Sequence, residues 1–170
     1  MLRNVLLGVS LGLILLFSAT SAQAFGVYAD LPLNYTLKDC NNDCSYMPAG
    51  IKGGVVLPGN LVLGAENYKL KFKNSATSVT FNFADVAYLL PIPVVNLMVG
   101  AGLGNAKIDT GVNSYADFGT QLWASLGFPV VPTLDLHLGY HEVKAKVDMG
   151  AGNTVNLGGR MLSLGVLLNF

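Results

Sequence analysis

The chain has 170 residues, of which 52% are hydrophobic and only 12% are charged, and its ten basic residues balance its ten acidic residues. This length suits one domain, and the balanced charge offers no basic surface of the kind that binds nucleic acid. The hydrophobic content and the 20 glycines exceed what soluble globular domains usually carry.

The first 24 residues have the pattern of a secretory signal peptide. Arg3 supplies a positive charge, residues 5–17 form an apolar run, and Ala22 and Ala24 frame a small-x-small cleavage site. The run is shorter than the roughly 20 apolar residues that cross a bilayer as a helix, which is the alternative. We therefore predict a signal peptide at residues 1–24 and one mature domain at residues 25–170, with nine basic and ten acidic residues once Arg3 is removed.

The mature part has the composition of a membrane protein but no apolar segment long enough for a membrane helix. Inside lipid every backbone amide and carbonyl needs a protein partner, which only helices and closed barrels supply. Alternation of apolar and polar residues with a period of two is typical of strands, and it occurs eight times. The sequence predicts an all-β fold, an eight-stranded antiparallel up-and-down transmembrane β-barrel.

The first four predicted strands cover residues 27–38, 49–57, 61–72 and 79–90. In the third strand the apolar positions change parity between Leu63 and Tyr68, and in the fourth they change between Phe83 and Val86. We interpret the first change as a β-bulge near Glu66 that keeps the apolar face toward lipid along the whole strand.

The last four predicted strands cover residues 95–104, 118–128, 134–147 and 162–170. The seventh strand changes parity between Tyr140 and Val143. Because the number of strands is even, both ends of the barrel chain are expected on the same side of the membrane.

The connections between these strands are of two kinds. Short joints that contain proline occur at residues 57–60, 90–93 and 128–132, whereas mostly longer polar or glycine-rich joints occur at residues 38–48, 73–77, 108–116 and 148–155. Outer-membrane barrels have short periplasmic turns and longer external loops, so this contrast predicts the orientation.

This pattern resembles the small eight-stranded bacterial outer-membrane barrels, the group that includes the OmpX and OmpA membrane domains. The resemblance covers the signal peptide, four hairpins, the final strand, and aromatic residues near strand ends at Tyr28, Tyr88, Phe128 and Tyr140. It implies a Gram-negative outer-membrane location, with outer-membrane lipid and lipopolysaccharide as partners.

In that group an alternating last strand with a terminal phenylalanine is read by the barrel-assembly machinery. The resemblance therefore implies that the machinery is a partner during insertion. It also implies an assembly signal made of Leu162, Leu164, Val166, Leu168 and Phe170.

The predicted interior carries eleven ionisable residues, namely Asp30, Lys52, Glu66, Lys69, Lys71, Asp85, Asp135, His137, His141, Lys144 and Lys146. The interior of an eight-stranded barrel is just wide enough for side chains to fill it. An unpaired buried ion is very costly, so we predict an ion-pair network that plugs the barrel. A conducting pore is the alternative, because the inward glycines at positions 100, 102, 104, 119 and 139 would leave room beside Met98 and Trp123.

Asp135, His137 and His141 share one face of the seventh strand, where an aspartate beside a histidine could orient a general base. They point inward, away from lipid, and no serine stands in the short spacing to a histidine that outer-membrane deacylases use. Two histidines alone also make a weak metal site, since further ligands must come from other strands. We predict no catalytic residue, no cofactor and no metal.

Cys40 and Cys44 lie in the first predicted external loop, with three residues between them. In an oxidising compartment two such cysteines are expected to form a disulfide that stiffens the loop. Metal binding together with Asp39 and Asp43 is the alternative.

The sequence thus favours a monomeric, non-enzymatic barrel with a structural or surface-interaction role. One alternative is a narrow, porin-like channel or a binder of a small hydrophobic molecule. A lipid-modifying outer-membrane enzyme is the second alternative.

Overall fold

The computed structural model describes residues 25–39, 45–72 and 75–170. The predicted signal peptide at residues 1–24 and the predicted Cys40–Cys44 disulfide lie outside these ranges. Within the described part of the chain, no helix is long and apolar enough to cross a membrane.

Eight long antiparallel strands close into a barrel, which confirms the predicted fold class. Closure comes from the pairing of the first long strand with the last, from Gly26 opposite Asn169 to Leu37 opposite Gly159, with one register shift between Pro32 and Asn34. The long strands are β1 (Gly26–Leu37), β3 (Ala49–Val56), β4 (Leu61–Lys71), β5 (Ser78–Pro91), β6 (Asn96–Asp109), β7 (Ser114–Val131), β8 (Leu134–Asp148) and β10 (Gly159–Asn169). Two short strands, β2 (Ser45–Tyr46) and β9 (Thr154–Asn156), pair with β1 and β8.

The two ends of the barrel differ in their connections. At the turn end, where β1 begins and β10 ends, tight joints link β3 to β4, β5 to β6 and β7 to β8. In the first of these joints Gly59 and Asn60 have φ angles of 82° and 64°. Glycine and asparagine tolerate this left-handed backbone, which lets the chain reverse between Val56 and Leu61. The opposite end, here called the loop end, carries the mostly longer connections.

No bulge interrupts β4. Its pairing with β3 and with β5 is continuous, and β5 in turn pairs with β6 without a shift. The predicted bulge near Glu66 is therefore wrong, and alternation simply continues toward the loop end. Tyr68 and Leu70 point into the barrel, whereas Lys69 and Lys71 point out.

The parity changes in the sequence instead mark an exchange of polarity between the two faces of the barrel wall. Toward the turn end, outward residues such as Leu63 and Leu138 are apolar. Toward the loop end, outward residues such as Asn67 and Lys144 are polar, and apolar side chains fill the interior. A surface against hydrocarbon must be apolar and a surface in water is mostly polar, so a change of surroundings explains the pattern without a bulge.

The interior contains an apolar cluster toward each end. Tyr35, Tyr68 and Phe81 pack in the loop-end cluster with ring centroids 4.8 to 5.8 Å apart, contacts worth about 0.5–1.5 kcal/mol each beyond area burial. The buried members of the loop-end cluster are Tyr35, Tyr68, Leu70, Val79, Phe81, Phe83, Ala106, Ile108, Val143, Ala145, Val147, Leu157 and Met161. Those of the turn-end cluster are Tyr28, Val56, Val62, Ala87, Leu89, Met98, Trp123 and Leu167.

Candidate functional site: the polar interior

A layer of polar side chains separates the two apolar clusters. Alternation places each of them inward from a different strand, and their exposed fractions run from 0% to 6%. This polar layer consists of Asp30 on β1, Lys52 on β3, Glu66 on β4, Asp85 on β5, Gln121 on β7, His141 on β8 and Ser163 on β10.

Lys52 is the cation at the centre of the layer. Its Nζ lies 3.7 Å from Glu66 Oε2 and 3.7 Å from Asp85 Oδ2. The same atom lies 3.2 Å from the ring centroid of Trp123, where the negative face of the indole attracts it. Asp30 is the cross-strand neighbour of Lys52 on the other side. Two carboxylates thus lie within 4.0 Å of the ammonium group and a third is carried by the neighbouring strand, an arrangement that offsets part of the cost of removing the cation from water.

Gln121 connects the carboxyl groups to the histidine. Its Nε2 donates to Glu66 Oε2 at 2.9 Å and to Asp85 Oδ1 at 2.7 Å. Its Oε1 lies 3.4 Å from His141 Nδ1. Because one amide group serves three partners, Gln121 fixes the relative positions of β4, β5 and β8 within the layer.

His141 also contacts a serine on another strand, a pair that the spacing of the two residues in the sequence did not indicate. Ser163 Oγ lies 3.1 Å from His141 Nε2, and Glu66 Oε2 lies 3.7 Å from His141 Nδ1. The order serine, histidine, acid is that of hydrolytic triads, whose serine must meet a substrate carbonyl. Ser163 is 1% exposed and His141 is 0% exposed, so no substrate reaches either side chain from the surface.

A second polar group lies nearer the turn end. Asp135 accepts hydrogen bonds from the side-chain amides of Asn96 and Asn169. His137 Nε2 lies 4.0 Å from Asp135 Oδ2, and His137 Nδ1 lies 3.4 Å from Ser125 Oγ. Although Asp135, His137 and His141 share one face of β8, the two histidines therefore have separate partners.

The structure divides the predicted set of interior ionisable residues. Seven are buried in the interior, namely Asp30, Lys52, Glu66, Asp85, Asp135, His137 and His141. The other four point outward and are exposed, which corrects the prediction for Lys69, Lys71, Lys144 and Lys146. The error follows from the parity changes, since these lysines alternate with apolar residues that face in.

The interior glycines do not leave open space. A Cβ on Gly102 would collide with the Asp85 carboxylate, and a Cβ on Gly139 would collide with the Ser163 hydroxyl. A Cβ on Gly100 would lie 2.7 Å from the Trp123 ring. Larger side chains from neighbouring strands thus fill the volume that the glycines free, contrary to the room expected beside Trp123.

The outward face of β10 carries the predicted assembly residues. Leu162, Leu164, Val166 and Leu168 are 37% to 50% exposed, and Phe170 is 72% exposed. Tyr88 and Phe128 also lie on the outer surface near strand ends, whereas Tyr140 lies on the outer surface in the middle of β8. Tyr28 does not, because it points inward and is 1% exposed in the turn-end cluster.

Comparison with known proteins identifies the fold. No family model and no curated protein sequence matches the chain. The crystal structure of Neisserial surface protein A is similar, with a TM-score of 0.66 and 20% identity over 89% of this chain and 100% of that one. The N-terminal barrel domain of Pseudomonas aeruginosa OprF is similar with a TM-score of 0.56 and 14% identity, over 85% of this chain and 97% of that one. Ail of Yersinia pestis is similar with a TM-score of 0.53 and 16% identity, over 86% of this chain and 97% of that one.

At these identities the likeness concerns the fold alone. It confirms the predicted resemblance to the small eight-stranded outer-membrane barrels at that level.

Proposed function

We propose that this protein is a barrel of the bacterial outer membrane with a structural or surface-interaction role. The observation that carries the proposal is the apolar outer surface of the turn-end half of the barrel. Leu31, Leu122 and Leu164 there are 58%, 62% and 50% exposed. A monomeric soluble protein rarely exposes so large a contiguous apolar surface, whereas a closed barrel in lipid requires one.

The dimensions of this surface fit a bilayer. On β10 and at its end the outward residues are apolar over the nine residues from Leu162 to Phe170, and Arg160 follows on the loop-end side. A tilted strand needs about 9–11 residues to cross the hydrocarbon. β7 has 18 residues, so its loop-end part extends beyond the bilayer. The short turns then face the periplasm and the loop end faces outward.

We infer that the interior is closed to ions. The polar layer lies between two apolar clusters, and an ion passing through would lose its hydration at both. The predicted ion-pair plug thus becomes one layer of a longer filled interior. A non-enzymatic role agrees with the same packing, because the Ser163–His141 pair has no access to lipid or to solvent.

Two measurements on the refolded mature chain test this proposal. The barrel is expected to insert into lipid vesicles and to migrate differently on gels before and after heating, because its strand pairings break together. In a planar bilayer it is expected to give no single-channel steps. Steady conductance steps would favour the channel instead, and a chain that stays soluble without lipid would contradict the membrane location.

One observation favours the binding of a small hydrophobic molecule as a second candidate function. At the loop end a cavity of about 190 Å³ opens above the loop-end cluster. Phe72, Val79, Ile108, Met149 and Leu157 line it. Titration with an environment-sensitive alkyl probe tests this candidate, and a Val79→Trp variant, which fills the cavity, should abolish saturable binding.

A further inference from the structure

The polar group near the turn end brings side chains from three strands together. Asp135 and His137 are two residues apart on β8, so both side chains point inward. Asn96 begins β6 and Asn169 ends β10, and both side-chain amides donate to Asp135 Oδ2, the second at 3.5 Å. From the sequence, a metal site on β8 lacked ligands from other strands. In this turn-end polar group, β6 and β10 supply them.

Two buried atoms of the turn-end polar group have no hydrogen-bond partner within the described part of the chain. They are His137 Nε2 and Asn169 Oδ1, and their residues are 1% and 8% exposed. Buried polar atoms in native proteins are nearly always satisfied, so each of the two needs a partner. Asp135 Oδ2 lies 4.0 Å from His137 Nε2, too far for a hydrogen bond. An ion bound between these two atoms would satisfy the imidazole nitrogen.

Ser125 orients the ring of His137 for binding a cation. His137 Nδ1 lies 3.4 Å from Ser125 Oγ. When Nδ1 carries the ring proton and donates it to this hydroxyl, Nε2 keeps its lone pair, which is the form in which imidazole binds metals. The ring packs on Gly127, where a Cβ would lie 2.4 Å from His137 Cε1. The ring therefore has a defined position, with Nε2 directed toward Asp135.

We propose that the turn-end polar group is a binding site for a divalent first-row metal ion, with His137 Nε2 and Asp135 Oδ2 as its main ligands. Zinc bonds to imidazole nitrogen and to carboxylate oxygen are each about 2.1 Å long, so one ion can bridge these two atoms. Among the described residues no group of three or more histidines, cysteines and acids could hold a metal. Amide oxygens therefore complete the set, from Asn169 Oδ1 and from Asn96 once its amide turns over.

The ligand atoms and their position select the ion and its route. Imidazole suits Zn²⁺ and similar first-row ions, whereas Mg²⁺ and Ca²⁺ prefer oxygen ligands alone. Asn96 is only partly buried, so an ion can enter from the solution at the turn end. The apolar turn-end cluster prevents it from passing further into the barrel. The inference goes beyond the proposed function and does not depend on it, because the site lies inside the barrel.

Titration of the refolded, tag-free mature barrel with Co²⁺ in detergent micelles tests the site. Co²⁺ in a protein site absorbs visible light more strongly than aqueous Co²⁺. We expect saturation at one ion per barrel, and displacement by an equal concentration of Zn²⁺, which binds such sites more tightly. The same concentration of Ca²⁺ should displace none. With ¹⁵N-labelled histidine, Zn²⁺ should shift the Nε2 signal of one histidine only, a measurement that needs no variant.

Matched histidine variants assign the ligands. His137→Gln should weaken Co²⁺ binding at least about tenfold, since losing even an outer partner of a ligand costs about 10- to 100-fold. His141→Gln, the same change in the polar layer, should leave binding unchanged. Ser125→Ala keeps every ligand and should weaken binding less than His137→Gln does. Only variants that show the folded gel mobility are compared.

Several outcomes would overturn the inference. A wild-type barrel without saturable Co²⁺ absorption would do so, as would Zn²⁺ that leaves both histidine Nε2 signals in place. Equal losses in His137→Gln and His141→Gln would show that His137 is not the specific ligand. Displacement of Co²⁺ by Ca²⁺ as readily as by Zn²⁺ would exclude imidazole as a main ligand.

Discussion

Lys52 Nζ lies over the ring of Trp123, 3.2 Å from its centroid, with the carboxylates of Glu66 and Asp85 each 3.7 Å away. Among the described residues Lys52 is the only lysine or arginine inside the barrel, and it lies against the only tryptophan of the chain. The fluorescence of Trp123 therefore reports directly on the polar layer.

Removing this cation is expected to destabilise the barrel strongly. Lys52→Met keeps the length of the side chain but leaves buried carboxyl groups without their counter-ion, which should lower the free energy of unfolding by about 3–5 kcal/mol. Urea unfolding followed by Trp123 fluorescence measures the loss. Lys69→Met is the control, because Lys69 is exposed and should cost little. A Lys52→Met barrel as stable as the control would show that the ion pairs contribute nothing.

An arginine on the apolar outer surface should be costly only within the bilayer. Leu164→Arg is expected to lower the free energy of unfolding in lipid by about 2–4 kcal/mol if Leu164 lies near the midplane. Ser114→Arg places the same charge on an exposed loop-end position opposite Asp109 and should change stability little. Reversible unfolding in vesicles compares the two, and equal costs would argue against a lipid-facing surface at Leu164.

Close packing over the interior glycines should make them intolerant of a methyl group. Gly102→Ala would push against Asp85 and Gln121 in the polar layer, and overpacking of this kind costs about 1–3 kcal/mol. Gly53 meets only the backbone oxygen of Tyr28, at 3.3 Å, so Gly53→Ala is the milder control. If thermal unfolding showed no difference between the two variants, the interior would be less filled than the structure indicates.

Asp135→Ala should weaken the barrel without opening a pore. The substitution leaves the side-chain amides of Asn96 and Asn169 without their acceptor, a loss of about 1–3 kcal/mol for a buried hydrogen-bonded group. Thermal unfolding should show the loss, and planar-bilayer recordings should stay silent. A stable variant with new ion conductance would instead place Asp135 beside a conducting path.

Deleting Phe170 should impair assembly in cells more than the stability of the finished barrel. The Phe170 ring is 72% exposed and stacks on Phe25 with centroids 6.4 Å apart, so few contacts are lost. The expected result is less heat-modifiable barrel in outer-membrane fractions, but near-normal urea unfolding after refolding in vitro. A refolded deletion variant that is as unstable as Lys52→Met would assign Phe170 a structural role.

The alternation of apolar residues from Leu162 to Phe170 was enough to predict a strand and the direction of its apolar face. This is because side-chain direction in a strand depends only on parity, which is a local property. The number of long strands and the positions of the short turns followed from the same pattern. The sequence alone therefore determined the barrel and its strand order.

The parity changes could not be interpreted locally. A shift from Leu63 to Tyr68 is what a bulge produces, and it is also what a strand produces when it passes from lipid into water. The pairing of β4 with β3 and with β5 is continuous, so the strand has no bulge and the shift reflects its passage from lipid into water. It also moved Lys69, Lys71, Lys144 and Lys146 from the predicted interior to the outer surface.

The contacts of the polar layer needed the closed barrel. Ser163 and His141 are 22 residues apart, and Gln121 and Glu66 are 55 apart. Sequence alternation placed Glu66 and His141 on inward faces, but only the register between strands and the closure of β10 on β1 set which inward side chains meet. The sequence by itself thus determined which residues form strands, while the tertiary structure decided which side chains are neighbours, because contacts across a barrel depend on register and not on local alternation.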